Sequence, residues 1–248
     1  MDISIDKQLN ILPVHIGKEI DSTDNIAKLI LESESVCDGD ILVIAQKIIS
    51  KQEGRIVNLE SVTPSLLAEG ISSQYQKDPR IVELILRESK RIVRMARGVM
   101  IVETNHGFVC ANAGVDESNA PPGHATLLPA DSNRSAELIR KEILQMTKKN
   151  VAVIISDTFG RPFRLGQTNV AIGVSGMNSI LDYAGTLDSF DKTLRVTAIA
   201  VADELSGAAE LVMQKNTRCP VAIIRNYGFS SDNFSNNLIR PENEDLFR

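Results

Sequence analysis

Apolar residues in this chain come in short runs, and that limits what it can fold into. Runs such as Ile41–Ala45 fall far short of the roughly 20 apolar residues that span a bilayer. A five-residue apolar run entered through a turn, here Asp38-Gly39-Asp40, has the size of one buried strand. Further runs of strand type lie at residues 150–155, 169–174, 193–201 and 220–225. Between them the spacing turns helical. Ile26, Leu29 and Ile30 follow a start signal at Ser22-Thr23-Asp24. Residues 64–75 and 79–89 predict two short helices, the second with Ile81, Leu84 and Ile85 on one face. Residues 132–149 predict a longer helix with Ala136, Ile139, Ile143 and Met146 as its apolar stripe. Residues 202–215 also read as helix. Residues 91–95 predict a strand, and residues 99–111 a β-hairpin, with Asn105-His106-Gly107 as its turn. Strands and helices mix without a strict βαβ rhythm, and the hairpin selects the α+β class.

At 248 residues the chain is one large domain or two small ones, able to bury a core without disulfides. A net charge of −5 argues against a non-specific nucleic-acid binder. An aromatic content of 4%, with no Trp, argues against stacked-base recognition. Cys37, Cys110 and Cys219 lie far apart, which fits a reducing compartment and small buried hydrophobes rather than a zinc cassette. The start, Met1-Asp2-Ile3-Ser4-Ile5-Asp6-Lys7, is too polar for a secretory signal, so the cytoplasm is the expectation, with no membrane partner. Residues 229–248 read as a polar tail, loosely ordered over 230–237.

No P-loop, dinucleotide fingerprint, nucleophile elbow or HExxH motif is present. His15, His106 and His124 are scattered, so any chemistry rests on Asp, Glu, Lys and Arg. Two segments concentrate these. One opens residues 112–128, a stretch that reads as a long functional loop and contains Asp116, Glu117 and Asn119. The other is Ser156-Asp157-Thr158, at the end of an apolar run, followed by Arg161 and Arg164. Brought together, Asp116 and Asp157 would hold a hard cation such as Mg²⁺. The arginines would present guanidinium forks to phosphate or carboxylate. That combination suits phosphoryl transfer, and a metal-dependent phosphohydrolase is one enzyme that could use it. Plainer readings stand beside it. An Asp after a strand also forms turns and helix caps. Lys47 and Lys51 read as surface lysines, and the run Arg87, Lys90, Arg91, Arg94, Arg97 as a solvated face.

These segments are joined by others in a fixed order. They are residues 39–43 leading to 50–55, then 112–119, 127–129, 156–166, 171–176 and 201–213. Over residues 11–228 the chain resembles the coenzyme F420-0:γ-glutamyl ligases of archaea and actinobacteria. The resemblance implies a GTP-dependent ligase that adds L-glutamate to the lactyl carboxylate of F420-0 and extends it through γ-linkages, by way of an acyl phosphate. It implies two divalent cations, Mg²⁺ or Mn²⁺, and K⁺. It also implies two α+β subdomains intertwined in a homodimer, neither P-loop nor Rossmann, with residues 1–228 as one unit. Asp116 and Asp157 would share one metal, and Thr158 and Gln214 would touch the second. Gly17, Lys18, Glu19, Ile20, Gln46, Lys47, Lys51, Asn119, Met213, Gln214 and Lys215 would meet GTP. Asp157, Arg161 and Arg164 would act in catalysis. Around residues 213–220 the chain departs from the family: Gln214-Lys215 stand where some members carry an acidic residue, and the loop is shorter. Glu210 could substitute as a ligand there. The departure keeps a catalytically silent nucleotide- and metal-binding regulator as the alternative.

Overall fold

A computed structural model describes residues 8–231 and 237–245. Most of the stretch expected to be loosely ordered, and the N-terminal seven residues, therefore lie outside the described residues. In chain order the elements are β1 (Asn10–Val14), α1 (Ile26–Ser33), β2 (Ile41–Ala45), α2 (Gln46–Gln52), β3 (Ile56–Asn58), α3 (Leu66–Tyr75) and α4 (Pro79–Arg87). Next come β4 (Ser89–Ala96), β5 (Val99–Thr104), β6 (Val109–Ala111), β7 (His124–Thr126), α5 (Ser132–Thr147), β8 (Ala152–Gly160) and β9 (Gln167–Ser175). The series closes with β10 (Leu181–Asp182), β11 (Ala198–Ile199), α6 (Val201–Met213) and β12 (Val221–Arg225).

The largest sheet has the order β1-β12-β2-β8-β9. Its pairs are antiparallel except β2 with β8. A strand covered on both faces has no polar face to show, which is why β2 reads as an unbroken apolar run. Its alternate residues separate into two packing layers. Leu42, Ile44, Val153 and Ile155 pack with Ile30 of α1 and with Ala136, Ile139 and Ile143 of α5. Ile41, Val43, Ala152 and Ile154 pack with Ala202, Leu205 and Ala209 of α6. A further cluster gathers Ala68 and Ile71 of α3, Ile81 and Ile85 of α4, and Met100 and Val102 of β5. It underlies the antiparallel β4-β5-β6 sheet and the β3–β7 pair. The architecture is mixed α+β, and among the described residues no helix is long and apolar enough to cross a membrane.

Several local expectations are corrected. Helix α1 begins at Ile26, not at Ser22-Thr23-Asp24, because the Asn25 side chain accepts from the Lys28 amide (2.7 Å) and sets the cap. Residues 112–128 are not structureless. His124–Thr126 pairs with β3, and Asp116 bridges Thr126, a three-residue strand too short for its alternation to show in sequence. Of residues 193–201 only Ala198–Ile199 is strand, paired with β10. Met146 is exposed, so the stripe of α5 ends at Ile143. Cys37 is also exposed, whereas Cys110 and Cys219 are buried.

Candidate functional site

Parallel pairing of β2 with β8 sets Ala45 beside Ser156. At that edge β2 ends and turns into α2 as Gln46-Lys47, while β8 runs on past it as Ser156-Asp157-Thr158, still paired with β9. Residues 18–20 after β1, 118–119 before β7 and 213–220 after α6 close around that edge. They enclose a cavity of about 760 Å³. Asp116 reaches it from the third cluster, in which its neighbours Ala113 and Val115 are buried.

The cavity wall is a set of paired opposite charges. Lys47 Nζ donates to Asp116 Oδ2 (2.5 Å) and to the Ser118 hydroxyl (2.8 Å) and carbonyl (2.9 Å). Burial pushes the Asp116 carboxyl up, but Lys47 and the Ser118 hydroxyl and amide outweigh it and hold the group below the ordinary carboxylate range. Asp157 goes the other way. Burial pushes it up to about 6. The Thr158 amide, Lys47 and Lys215 act against burial, and the Asp116 charge acts with it. Lys51 is 8% exposed and donates to Glu19 (2.7 Å), so it is not the surface lysine that composition alone suggested. The Lys51 bond, in turn, keeps the Glu19 carboxyl low. Gln46 is buried and accepts from the Ser50 hydroxyl (2.8 Å).

A second group of contacts sits past Asp157. Lys215 Nζ donates to Thr158 Oγ1 (2.7 Å) and pairs with Glu210 (3.0 Å). Asn169 completes the ring, accepting from the Thr158 hydroxyl (2.7 Å) and donating to Glu210 (2.9 Å). Hard oxygen donors are thus present at Asp116, Asp157, Thr158 and Glu210. Among the described residues no three or more His, Cys, Asp or Glu gather closely enough to hold a metal unaided. A divalent cation here would draw part of its shell from phosphate oxygens and water, as Mg²⁺ commonly does. The Asp116–Asp157 end fits such an ion. The Thr158 end, with an ammonium already seated on its hydroxyl, does not fit in the same way.

Most of the residues picked out in the sequence meet here. Lys18, Glu19, Ile20, Gln46, Lys47, Lys51, Asp116, Asn119, Asp157, Thr158, Met213, Gln214 and Lys215 all line the cavity. Gly17 is adjacent in sequence but not part of the lining. Arg161 and Arg164 are exposed on the loop joining β8 to β9 and are not brought to the cavity; Arg161 donates instead to the Leu165 carbonyl (2.6 Å). Asn169 and Arg218 line it without having been singled out. Asn169 could be found only from strand register, since it lies opposite Thr158 across the β8–β9 pair.

Comparison with known proteins places the chain in a family. The F420-0:Gamma-glutamyl ligase family matches residues 16–226, a span that takes in every segment lining the cavity. The coenzyme F420:L-glutamate ligase of Methanothermobacter thermautotrophicus is 47% identical over 234 residues, covering 91% of this chain and 93% of that protein. The Methanopyrus kandleri protein of the same name is 42% identical, covering 97% of this chain and 98% of its own length. The Methanocaldococcus jannaschii protein, also so named, is 45% identical, covering 94% and 92%. With identity sustained along nearly the whole length of each, the chain belongs to the F420-0:γ-glutamyl ligase family.

Proposed function

We propose that this protein is a coenzyme F420:L-glutamate ligase that uses GTP and works in the cytoplasm as a homodimer. Residues 1–228 would act as one catalytic unit. The observation that carries the reading is the meeting of Asp116, Asp157, Lys47 and Lys51 in one cavity, in a chain whose relatives are named for this activity. Joining an amine to a carboxylate in water needs an activated carboxyl. Transfer of the GTP γ-phosphoryl group to the lactyl carboxylate of F420-0 would give an acyl phosphate and GDP. Attack by the glutamate amine would then expel phosphate and leave an amide, and repetition through the γ-carboxylate would lengthen the tail.

Every participant in that reaction is an anion, so the cavity must supply positive charge where charge spreads in the transition state. Lys47 and Lys51, which line the cavity, would meet phosphate oxygens. Asp116 and Asp157 would hold Mg²⁺ or Mn²⁺, which supplies Lewis-acid neutralisation of the phosphates. For members of the family the resemblance implies a second divalent cation and K⁺ as well. Gln46, Asn119 and residues 18–20 and 213–215 would hold the nucleotide. Arg161 and Arg164 would contribute only with the β8–β9 loop folded over a bound ligand.

Incubating the protein with F420-0, GTP, Mn²⁺ and glutamate should raise the F420-0 mass by one glutamyl unit or more. GTP hydrolysis that ignores both acceptor and glutamate would replace this reading with a phosphohydrolase. Glutamylation of another acid but not F420-0 would keep the ligase and change its substrate.

A further inference from the structure

We propose that the Lys215 ammonium is the resident cation at the Thr158–Glu210 corner, so that each cavity takes one divalent cation rather than two. This rests on the ligase reading above and makes the use of its two cation positions specific to this chain.

The first argument is the wiring of the corner. Thr158 Oγ1 accepts from Lys215 while its own proton goes to Asn169. Glu210 receives Lys215 on one oxygen and Asn169 on the other. The four side chains form a closed ring in which Lys215 is the only cation. The ring is also locally built. Gln214 caps α6 with a positive φ of 51°, turning the chain at the helix end so that Lys215 reaches back to Glu210 on the last turn.

The second argument is charge. The Asp116 end offers two carboxylates, its own and that of Asp157. A divalent cation can displace the single ammonium of Lys47 there and gain both. The Thr158 end has one carboxylate of its own, Glu210, beside a neutral hydroxyl. A single positive charge already balances it. A second divalent cation would have to stand beside the Lys215 ammonium, or expel it from two hydrogen-bonded partners, and the other carboxylate that senses Lys215, Asp157, is already engaged at the Asp116 end. Mg²⁺ and Mn²⁺ dehydrate reluctantly and prefer anionic oxygen. A tethered ammonium supplies its charge without that cost, though as a point charge with no open coordination position.

The test counts ions. Mn²⁺ is titrated into wild type, Lys215→Ala and Lys215→Arg, each with one equivalent of the β,γ-imido analogue of GTP. Free Mn²⁺ is read by electron paramagnetic resonance. Wild type and Lys215→Arg should bind one Mn²⁺ per chain and Lys215→Ala two. Adding Glu210→Gln to Lys215→Ala should remove the second. Thermal melts establish that each variant is folded, as expected for a largely exposed side chain. Two equivalents in wild type, or one in Lys215→Ala, would overturn the assignment while leaving the ligase reading intact. No Mn²⁺ bound by any of the proteins would overturn the metal-dependent reading itself, and the assignment with it.

Discussion

Burial pushes the Asp157 carboxyl up to about 6, where an ordinary aspartate would sit near 3.8. The raised value means that the folded protein binds this proton more tightly than the unfolded chain. Stability therefore falls as pH rises from about 4 through about 6, and the whole penalty is present at neutral pH. Two pKa units correspond to on the order of 3 kcal/mol, less what solvent at the cavity mouth screens. Asp157→Asn removes the charge and keeps the oxygen that accepts from the Thr158 amide. The metal-free variant should melt several degrees above wild type at about pH 7.5, and the gap should close near pH 3.5. It should also lose most ligase activity, a trade of stability for function. Calorimetry at the two pH values checks the first part; a variant less stable than wild type at neutral pH would show that the carboxylate is well solvated. Asp157 could be picked out in sequence as a candidate from its place after an apolar run, and the structure puts it in the cavity wall. Its environment was not, because the neighbours that set it, Lys47, Asp116 and Lys215, lie far away along the chain.

Elements meet closely where side chains are absent. The N-terminal turn of α5 crosses β9 at Gly173, where an added Cβ would lie 2.4 Å from the Ser132 carbonyl carbon and oxygen. Backbone on that side cannot step aside as a flexible side chain could. The contact is held by further bonds: Asn133 accepts from the Val174 amide (2.9 Å), and Glu137 takes the Ser175 hydroxyl proton and pairs with Arg140 (3.0 Å). Gly173→Ala should therefore destabilise by about 1–3 kcal/mol or more, the usual range for overpacking. Gly17, beside the cavity, is different: a methyl group added there would meet nothing within 4 Å. Gly17→Ala should leave the urea midpoint nearly unchanged, and equal effects at the two sites would refute the packing account. The longer elements such as β2, α4 and α5 were legible from period and turn signals because those are local, whereas the three-residue β7 and the start of α1 were not. The need for glycine at 173 was not, because it arises from a helix that begins far earlier in the chain.

At the scale of the whole molecule, separate apolar clusters each send side chains to the cavity. Asp116 arrives from the α3–α4 cluster, Asp157 from the five-stranded sheet, and the Lys47–Asp116 bond joins them. Loss of either half would therefore remove the site. No composition or period count reveals that join, since it depends on which strand edges end up adjacent. The molecule also leaves large apolar side chains in water. Phe163 and Leu165 on the β8–β9 loop are 94% and 96% exposed. Phe190 and Val196, between β10 and β11, are also almost fully exposed. Large contiguous apolar patches mark association sites, and Phe163 and Leu165 stand two residues apart on one loop. In the proposed homodimer a second copy would cover this loop, and a symmetric contact would bury it in both copies. Light scattering on the purified protein should then give about twice the 27.1 kDa chain mass. The variant Leu165→Glu should shift the protein to monomer with its circular dichroism unchanged, because that side chain is almost fully exposed. A wild-type monomer at micromolar concentration would refute the dimer. A variant that stays dimeric would move the interface away from this loop.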